Sequence, residues 1–255
     1  MLQQTQAVRV VPAFERFLDA FPTVASLAAS SRADVVRAWN GLGYNRRAVA
    51  LSDAARVIER EHAGRIPSDP DVLRSLPGVG PYTAAAVASL AFGVPVPAID
   101  TNVRRVLARV HLGDEPHDVS ASRIRELAGA WIDRADPSSW NQALMDLGRE
   151  CCRPRPRCDA CPLAAGCRFL AEGSSPRPSP RRQGAFPGSA RQVRGAVVRV
   201  LRGSPSATLD RLAARTGFEV AFVAAAVRAL HDEGIIRAER RALDGRGAGR
   251  VRLST

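Results

Sequence analysis

Apolar residues recur three and four positions apart through the first 150 residues, the spacing of amphipathic helices. The pattern is clear in FERFLDAF (14–21), VVRAWNGLG (35–43), AVALSDAARVIEREH (48–62) and YTAAAVASLAFG (82–93). Breakers separate these runs: Pro22, the Gly41/Gly43 pair, 64–67, 77–80, and Pro95 with Pro97. Asp136–Pro137 opens a further helix through SSWNQALMDLG. No strand pattern intervenes, so the spacing predicts a mainly α body.

Residues 173–190 are rich in Pro, Ser, Gly and Arg and read as a linker. Helical periodicity then returns in RQVRGAVVRVLRG (191–203), in TLDRLAARTG (208–217) and in EVAFVAAAVRALHDEG (219–234). Thr208 is the expected N-cap of the second of these, and Gly217 its stop. The last 21 residues alternate like two short strands around an Asp244–Gly245 turn. Three helices and a basic hairpin resemble a winged helix-turn-helix; a small helical dimerisation domain is the alternative. The expected organisation is a helical domain over 1–172, a linker over 173–190, and a winged-helix-like DNA-binding domain over 191–255.

Charge changes this picture in one respect. All 37 basic residues are Arg, and the net charge is +12. A GC-rich coding sequence accounts for the missing Lys, yet the chemical consequence stands: no lysine is present to form a Schiff base. Residues 1–172 are nearly balanced, with 21 Arg against 19 acids, whereas 173–255 carry 16 Arg against 6 acids. The basic excess therefore lies in the last third, as in a nucleic-acid-binding appendage. No apolar run approaches the roughly 18–20 residues of a membrane span, and no signal peptide opens the chain. A cytoplasmic, nucleoid-associated monomer is expected.

Five cysteines fall close together in CCRPRPRCDACPLAAGC: Cys151, Cys152, Cys158, Cys161 and Cys167. Such clustering favours metal over disulfide in a reducing compartment. Four thiolates suit either a zinc ion or an iron–sulfur cluster. The arginines between them, Arg153, Arg155 and Arg157, suit phosphate. His62, His111, His117 and His231 match no ligand spacing and are expected on the surface or within helices.

LPGVGPYTAAAV (76–87) predicts a helical hairpin. Pro77 and Gly78 turn the chain, Gly80 frees the backbone, and the next helix offers its N-terminal amides to an anion such as a DNA phosphate. Such contacts position a protein on DNA without reading sequence. Downstream, Asp100 follows an extended proline-bounded stretch and precedes TNVRRVLAR, the position of a helix N-cap.

The hairpin with its downstream Asp resembles the helix-hairpin-helix glycosylase superfamily that includes endonuclease III. Together with MLQQTQAVRVVPAFERFLDAFPT, WNGLGYNRRAVAL, IDTNVRRVLARV and NQALMDLG, it resembles the adenine DNA glycosylase branch over residues 1 to about 170. The resemblance implies a DNA repair enzyme acting on double-stranded DNA with a mismatched or damaged base. Asp100 is then the catalytic carboxylate, stabilising positive charge on the sugar as the glycosidic bond breaks. Gly78, Val79, Gly80 and Thr83 contact DNA, and Leu2 and Gln4 lie near the mismatch. Tyr82 stands where the bifunctional branch carries its Schiff-base lysine, which implies a monofunctional enzyme. The cofactor implied is a [4Fe-4S] cluster on Cys158, Cys161 and Cys167. The fourth ligand is Cys151 by loop spacing or Cys152 by distance from the preceding helix; Cys152 is favoured because the helix fixes its direction.

The implied reaction is excision of adenine opposite 8-oxoguanine or guanine. Thymine or uracil excision at G mismatches is the alternative. The family's general-acid Glu normally lies two residues before the methionine that is Met1 here. A native start upstream of Met1 is therefore expected, with slow excision by the 255-residue chain. A noncatalytic DNA-binding protein is the third reading. The last third does not resemble the β-rich domain with which many adenine glycosylases inspect 8-oxoguanine.

Overall fold

A computed structural model describes residues 1–3, 5–178 and 184–255. Gln4, and residues 179–183 of the expected linker, lie outside the described residues. In chain order the helices are α1 (Ala7–Ala20), α2 (Val24–Ala29), α3 (Arg32–Ala38), α4 (Arg46–His62), α5 (Pro70–Ser75), α6 (Pro81–Phe92) and α7 (Thr101–Leu107). The last of these runs into a π-helical turn, Ala108–Leu112. Next come α8 (Ala121–Trp131), α9 (Pro137–Glu150), two short 3₁₀ turns within the cysteine segment, and α10 (Arg168–Ala171). The chain ends with α11 (Ala190–Arg202), β1 (Ala207–Thr208), α12 (Leu209–Thr216), α13 (Val220–Asp232), β2 (Ile236–Ala238), α14 (Arg240–Leu243) and β3 (Arg250–Leu253). Among the described residues the first 172 contain no strand, and no helix is long and apolar enough to cross a membrane.

The chain forms two compact units, Met1–Ile66 with Gln183–Thr255, and Pro67–Arg182. In the first, one apolar core is shared by early and late segments. Phe17, Phe21, Val35, Val36 and Trp39 join Val197, Leu201, Leu212, Val227, Ile236 and Leu253. The ring of Phe17 meets Phe21 and Trp39 edge-on, at 4.9 and 5.9 Å. Arg202 at the end of α11 donates to the Val36 carbonyl and to Asn40 and Asn45 Oδ1, each at 2.8–3.0 Å. Burial, with Arg199 nearby, pushes its guanidinium down to about 10.

The late segment keeps the caps that its sequence predicts. Thr208 Oγ1 accepts from Arg211 N, and Gly217 ends α12 at φ +74°. The ribbon is richer than two strands around a turn. β3 is central, with β1 and β2 antiparallel on either side, and α14 precedes the Asp244–Gly245 turn. Ala242 of α14 is buried, and the close return of the chain requires glycine: a Cβ at Gly249 would lie 2.1 Å from Ala242 N.

In the second unit α5 and α6 form the hairpin, α6 and α7 pack on α9, and α10 packs on the π turn. Its core comprises Val103, Val106, Leu107, Ile124, Ala128 and Leu144 with Cys152. The approach of α9 to α7 also depends on glycine, since a Cβ at Gly148 would stand 2.6 Å from Asn102 Cβ.

Candidate active site and cysteine pocket

Local chemistry shapes the hairpin. Asp69 caps α5 by accepting from Asp71 N and Val72 N, and the helix ends at Leu76. Val79 N returns to the Leu76 carbonyl at 3.1 Å. Gly78 has φ +75°, a conformation that glycine adopts without strain. Gly80 opens α6 with no side-chain cap, followed by Pro81 in the first turn, so no side chain competes with an anion for that helix end. Gly78 and Gly80 are exposed, while Val79 and Thr83 are half-buried.

Asp100 N-caps α7, as its position in the sequence predicts. Its Oδ1 accepts from Asn102 N at 2.8 Å and Val103 N at 2.7 Å, and its Oδ2 accepts from Asn102 Nδ2 at 3.0 Å. The carboxylate is therefore fixed in orientation, and Oδ2 keeps lone-pair capacity for a cation. Tyr82, in the first turn of α6, stands within electrostatic reach. Burial first, and then the negative charge of Asp100, push its phenol above the ordinary range. The phenol thus stays neutral beside the carboxylate. Its hydroxyl donates to Met145 Sδ at 3.7 Å.

The segment that delivers Asp100 is held by Asn141 of α9, which is fully buried. Its Nδ2 donates to Ser89 Oγ, to the Val96 carbonyl and to the Pro137 carbonyl, while its Oδ1 accepts from Ala98 N at 2.7 Å. One side chain thereby ties α6, the extended 94–99 stretch and α9 together. Two arginines, Arg105 of α7 and Arg109 of the π turn that follows it, connect these elements to the cysteine segment. Arg105 donates to the carbonyls of Gly148 and Cys152. Arg109, only 1% exposed, donates to the Arg153 carbonyl and pairs with buried Glu115 at 2.7 Å. Its guanidinium also lies 4.8 Å from the Phe169 ring centroid.

All five cysteines line one pocket, walled by Arg109, Val110, Leu147, Phe169 and Leu170. Cys151 Sγ donates to the Ala160 carbonyl at 3.5 Å, inside the Cys158–Cys161 stretch. Cys152 is buried and instead accepts from Arg109 Nη1 at 3.9 Å. Among the described residues no three His, Cys, Asp or Glu side chains form a site for a single metal ion. Arg153, Arg155 and Arg157 are exposed.

Leu2 belongs to the other unit and is 64% exposed. Its segment is pinned by Arg47, which donates to the Met1 carbonyl, Thr5 Oγ1 and the Leu42 carbonyl. Gln4 lies outside the described residues. Asp100, Tyr82 and the hairpin glycines thus share one unit with the cysteines. Sequence reasoning missed Asn141, Arg105 and Arg109. Asn141 had a readable signal, because Pro137, Asn141, Leu144 and Gly148 form the buried face of α9, and an amide on an apolar face must find buried partners.

Fold and site together define a helix-hairpin-helix protein with a fixed carboxylate capping the helix that follows the hairpin. The family model described as "HhH-GPD superfamily base excision DNA repair protein" matches residues 1–133, and the chain belongs to this superfamily. Its relatives include proteins named adenine DNA glycosylase. That of Mycolicibacterium smegmatis is 41% identical over 205 residues, 80% of this chain and 70% of the relative. That of Mycobacterium tuberculosis is 43% identical over 208 residues, 80% of this chain and 68% of the relative. The human protein is 41% identical over 66% of this chain and 32% of its own length. Among solved structures, a thermostable thymine-DNA glycosylase superposes with TM-score 0.63 at 28% identity, covering 67% of this chain and 80% of that one. An endonuclease III–DNA complex gives TM-score 0.59 at 28% identity, covering 67% and 79%.

Proposed function

We propose that this chain is a monofunctional DNA glycosylase that excises adenine mispaired with 8-oxoguanine or guanine. One observation carries the reading: Asp100 is locked at the head of α7 beside a neutral Tyr82, in a chain similar over four-fifths of its length to adenine DNA glycosylases. The adenine leaves the stack before reaction. As the glycosidic bond breaks, its electron pair departs with the base and positive charge develops on the sugar. The Asp100 carboxylate stabilises that charge, water adds its oxygen to the sugar carbon, and the proton that the water releases is balanced by the one taken up by the departing adenine. The chain contains no lysine, so strand cleavage through a lysine imine does not follow. The hairpin from Gly78 to Thr83 anchors the DNA backbone through its amides, and Leu2 and Gln4 are the residues that the resemblance assigns to the mismatch.

Thymine excision is the second reading. It is favoured by Tyr82, which the resemblance also places in thymine-mismatch glycosylases, and by the similarity to a thymine-DNA glycosylase structure. Incubation with A:8-oxoG, A:G, T:G and U:G duplexes, followed by alkali, separates the readings. Breaks at A opposite 8-oxoG or G support adenine excision. Breaks only at T or U support the alternative, and binding without breaks overturns both.

The cysteine pocket fits a [4Fe-4S] cluster. Its lining supplies five cysteine thiols, and four thiolates are the donor set that such a cluster needs. Cys158, Cys161 and Cys167 would hold three irons. For the fourth, the contact of Cys151 with the Cys158–Cys161 stretch, against the hold of Arg109 on Cys152, favours Cys151 over the neighbour that the helix-based count prefers. Bound there, the cluster supplies a fixed template for the loop. Iron loss in Cys151→Ser with retention in Cys152→Ser supports this assignment, and the reverse pattern overturns it. Residues 191–255, with helices α11 to α14 and a three-stranded antiparallel sheet, would act as a winged-helix-like segment for DNA.

A further inference from the structure

In the winged-helix arrangement the expected reader of DNA is the second helix of the helix-turn-helix, here α13. Its exposed face does not suit that role. Val220, Ala221, Phe222 and Ala225 point to solvent there, and none carries a hydrogen-bond donor or acceptor for a base edge or phosphate. Arg228, the one cation on that face, donates to the Leu243 carbonyl.

The outer face of the sheet has the opposite character. Along β3, Val251 and Leu253 are buried while Arg250 and Arg252 are exposed. Arg252 stands directly opposite Arg237 of β2, which is also exposed. Like charges in register weaken a strand pair unless an anion joins them. Residues 236–252 hold six arginines against two acids, Glu239 and Asp244. The guanidiniums of Arg237, Arg240, Arg241, Arg246, Arg250 and Arg252 have no hydrogen-bond or ion-pair partner among the described residues. Glu239 Oε2 accepts from the backbone amide of Arg250 and makes no ion pair with these guanidiniums among the described residues, so the segment keeps a net positive charge.

The frame under these arginines is closely packed. Gly245 turns the chain at φ +82°. A Cβ at Gly247 would lie 2.1 Å from Asp210 Oδ1, and one at Gly249 would meet α14. The tip therefore sits directly on α12 and α14. Forked guanidiniums on such a frame match phosphate oxygens.

We infer that the β2–β3 face, through Arg237, Arg250 and Arg252, binds the phosphate backbone of duplex DNA, and that the exposed face of α13 does not read bases. Contacts of this kind carry no sequence information, as a repair enzyme that must search any sequence requires. The inference rests on the DNA reading above and adds a second grip to the hairpin anchor.

The test uses the full chain, with Arg237, Arg250 and Arg252 changed together to Gln or to Lys. Affinity for undamaged duplex DNA is measured by fluorescence anisotropy across a salt series, and folding is checked by thermal melting. If each arginine holds one phosphate, the slope of log K against log salt falls by about 2.7 in the Gln variant. The Lys variant keeps most of the slope, and both melt like the parent chain. An unchanged slope in the Gln variant overturns the inference. So does an equal loss in the Lys variant. Adenine excision by the parent chain is scored separately, so failure of the catalytic reading leaves the salt slopes standing, and the converse holds too.

Discussion

In the unit built from Met1–Ile66 and Gln183–Thr255 the interior is aliphatic and aromatic. Its two buried polar side chains, Ser52 and Ser254, have hydroxyls without a partner among the described residues. In Pro67–Arg182 the buried polar side chains are Ser89, Arg109, Glu115 and Asn141, and each is hydrogen-bonded to another part of that unit. Apolar burial is strong but non-directional. Buried hydrogen bonds add little net stability, yet they fix position, because leaving one unmade is costly. The unit that carries Asp100 has the directional interior, and the unit that carries the arginine-rich sheet has the apolar one.

Substitutions in the two interiors should therefore fail differently. The largest effect is expected at Arg109. Arg109→Leu leaves Glu115 buried and unpaired, which costs about 3–5 kcal/mol in urea unfolding, and it loosens the loop that starts at Cys152. A loss under 1 kcal/mol would show that the pair is not buried as described. Leu212→Ala, in the other unit, should cost about 2–5 kcal/mol while excision per folded molecule stays at the parent rate. A parallel fall in rate would erase the contrast between the units.

Asn141→Ala should cost about 2–3 kcal/mol and also slow single-turnover excision by about 100-fold, because a small misplacement of the reacting group is expensive. DNA affinity is expected to hold. An unaffected rate would remove Asn141 from its positioning role. The smallest effect concerns His111, whose ring meets Trp131 edge-on at 4.6 Å and whose Nε2 is buried without a partner among the described residues. Desolvation pushes its pKa below the ordinary histidine value. The unfolded chain thus binds the proton more readily than the folded one. This contribution to stability is complete above the unfolded pKa of about 6.5 and is lost as pH falls below it. His111→Phe should flatten the decline in melting temperature between pH 7 and 5; an unchanged decline would assign it to other groups.

What the sequence disclosed, and what it hid, divides along the range of the interactions. Gly78, Gly80, the Asp100 cap, Thr208 and Gly217 act within a few residues of themselves, so their chemistry is written locally. Arg109 is 43 residues from Cys152 in sequence, and as one arginine among 37 it reads as surface charge. Asn141 joins residues more than 40 positions away. The core that Phe17 and Trp39 share with Leu201 and Leu253 likewise has no local signature. α14 was hidden by Arg240–Leu243 lying in a stretch that alternates like strand. Its packing is explained by the glycine contact at Gly249 rather than by its own pattern. His111 lies within a helical turn, as expected, but its contact with Trp131 has no local signature.

The central claim is that the carboxylate at the head of α7 performs excision. Its most direct test is single-turnover excision of adenine opposite 8-oxoguanine, at saturating protein, by the parent chain and by Asp100→Asn. Asparagine is as good an N-cap as aspartate, so α7 and DNA affinity should persist while the rate falls by about 10²–10³-fold. An Asp100→Asn variant that binds the duplex and excises adenine at the parent rate would contradict the account.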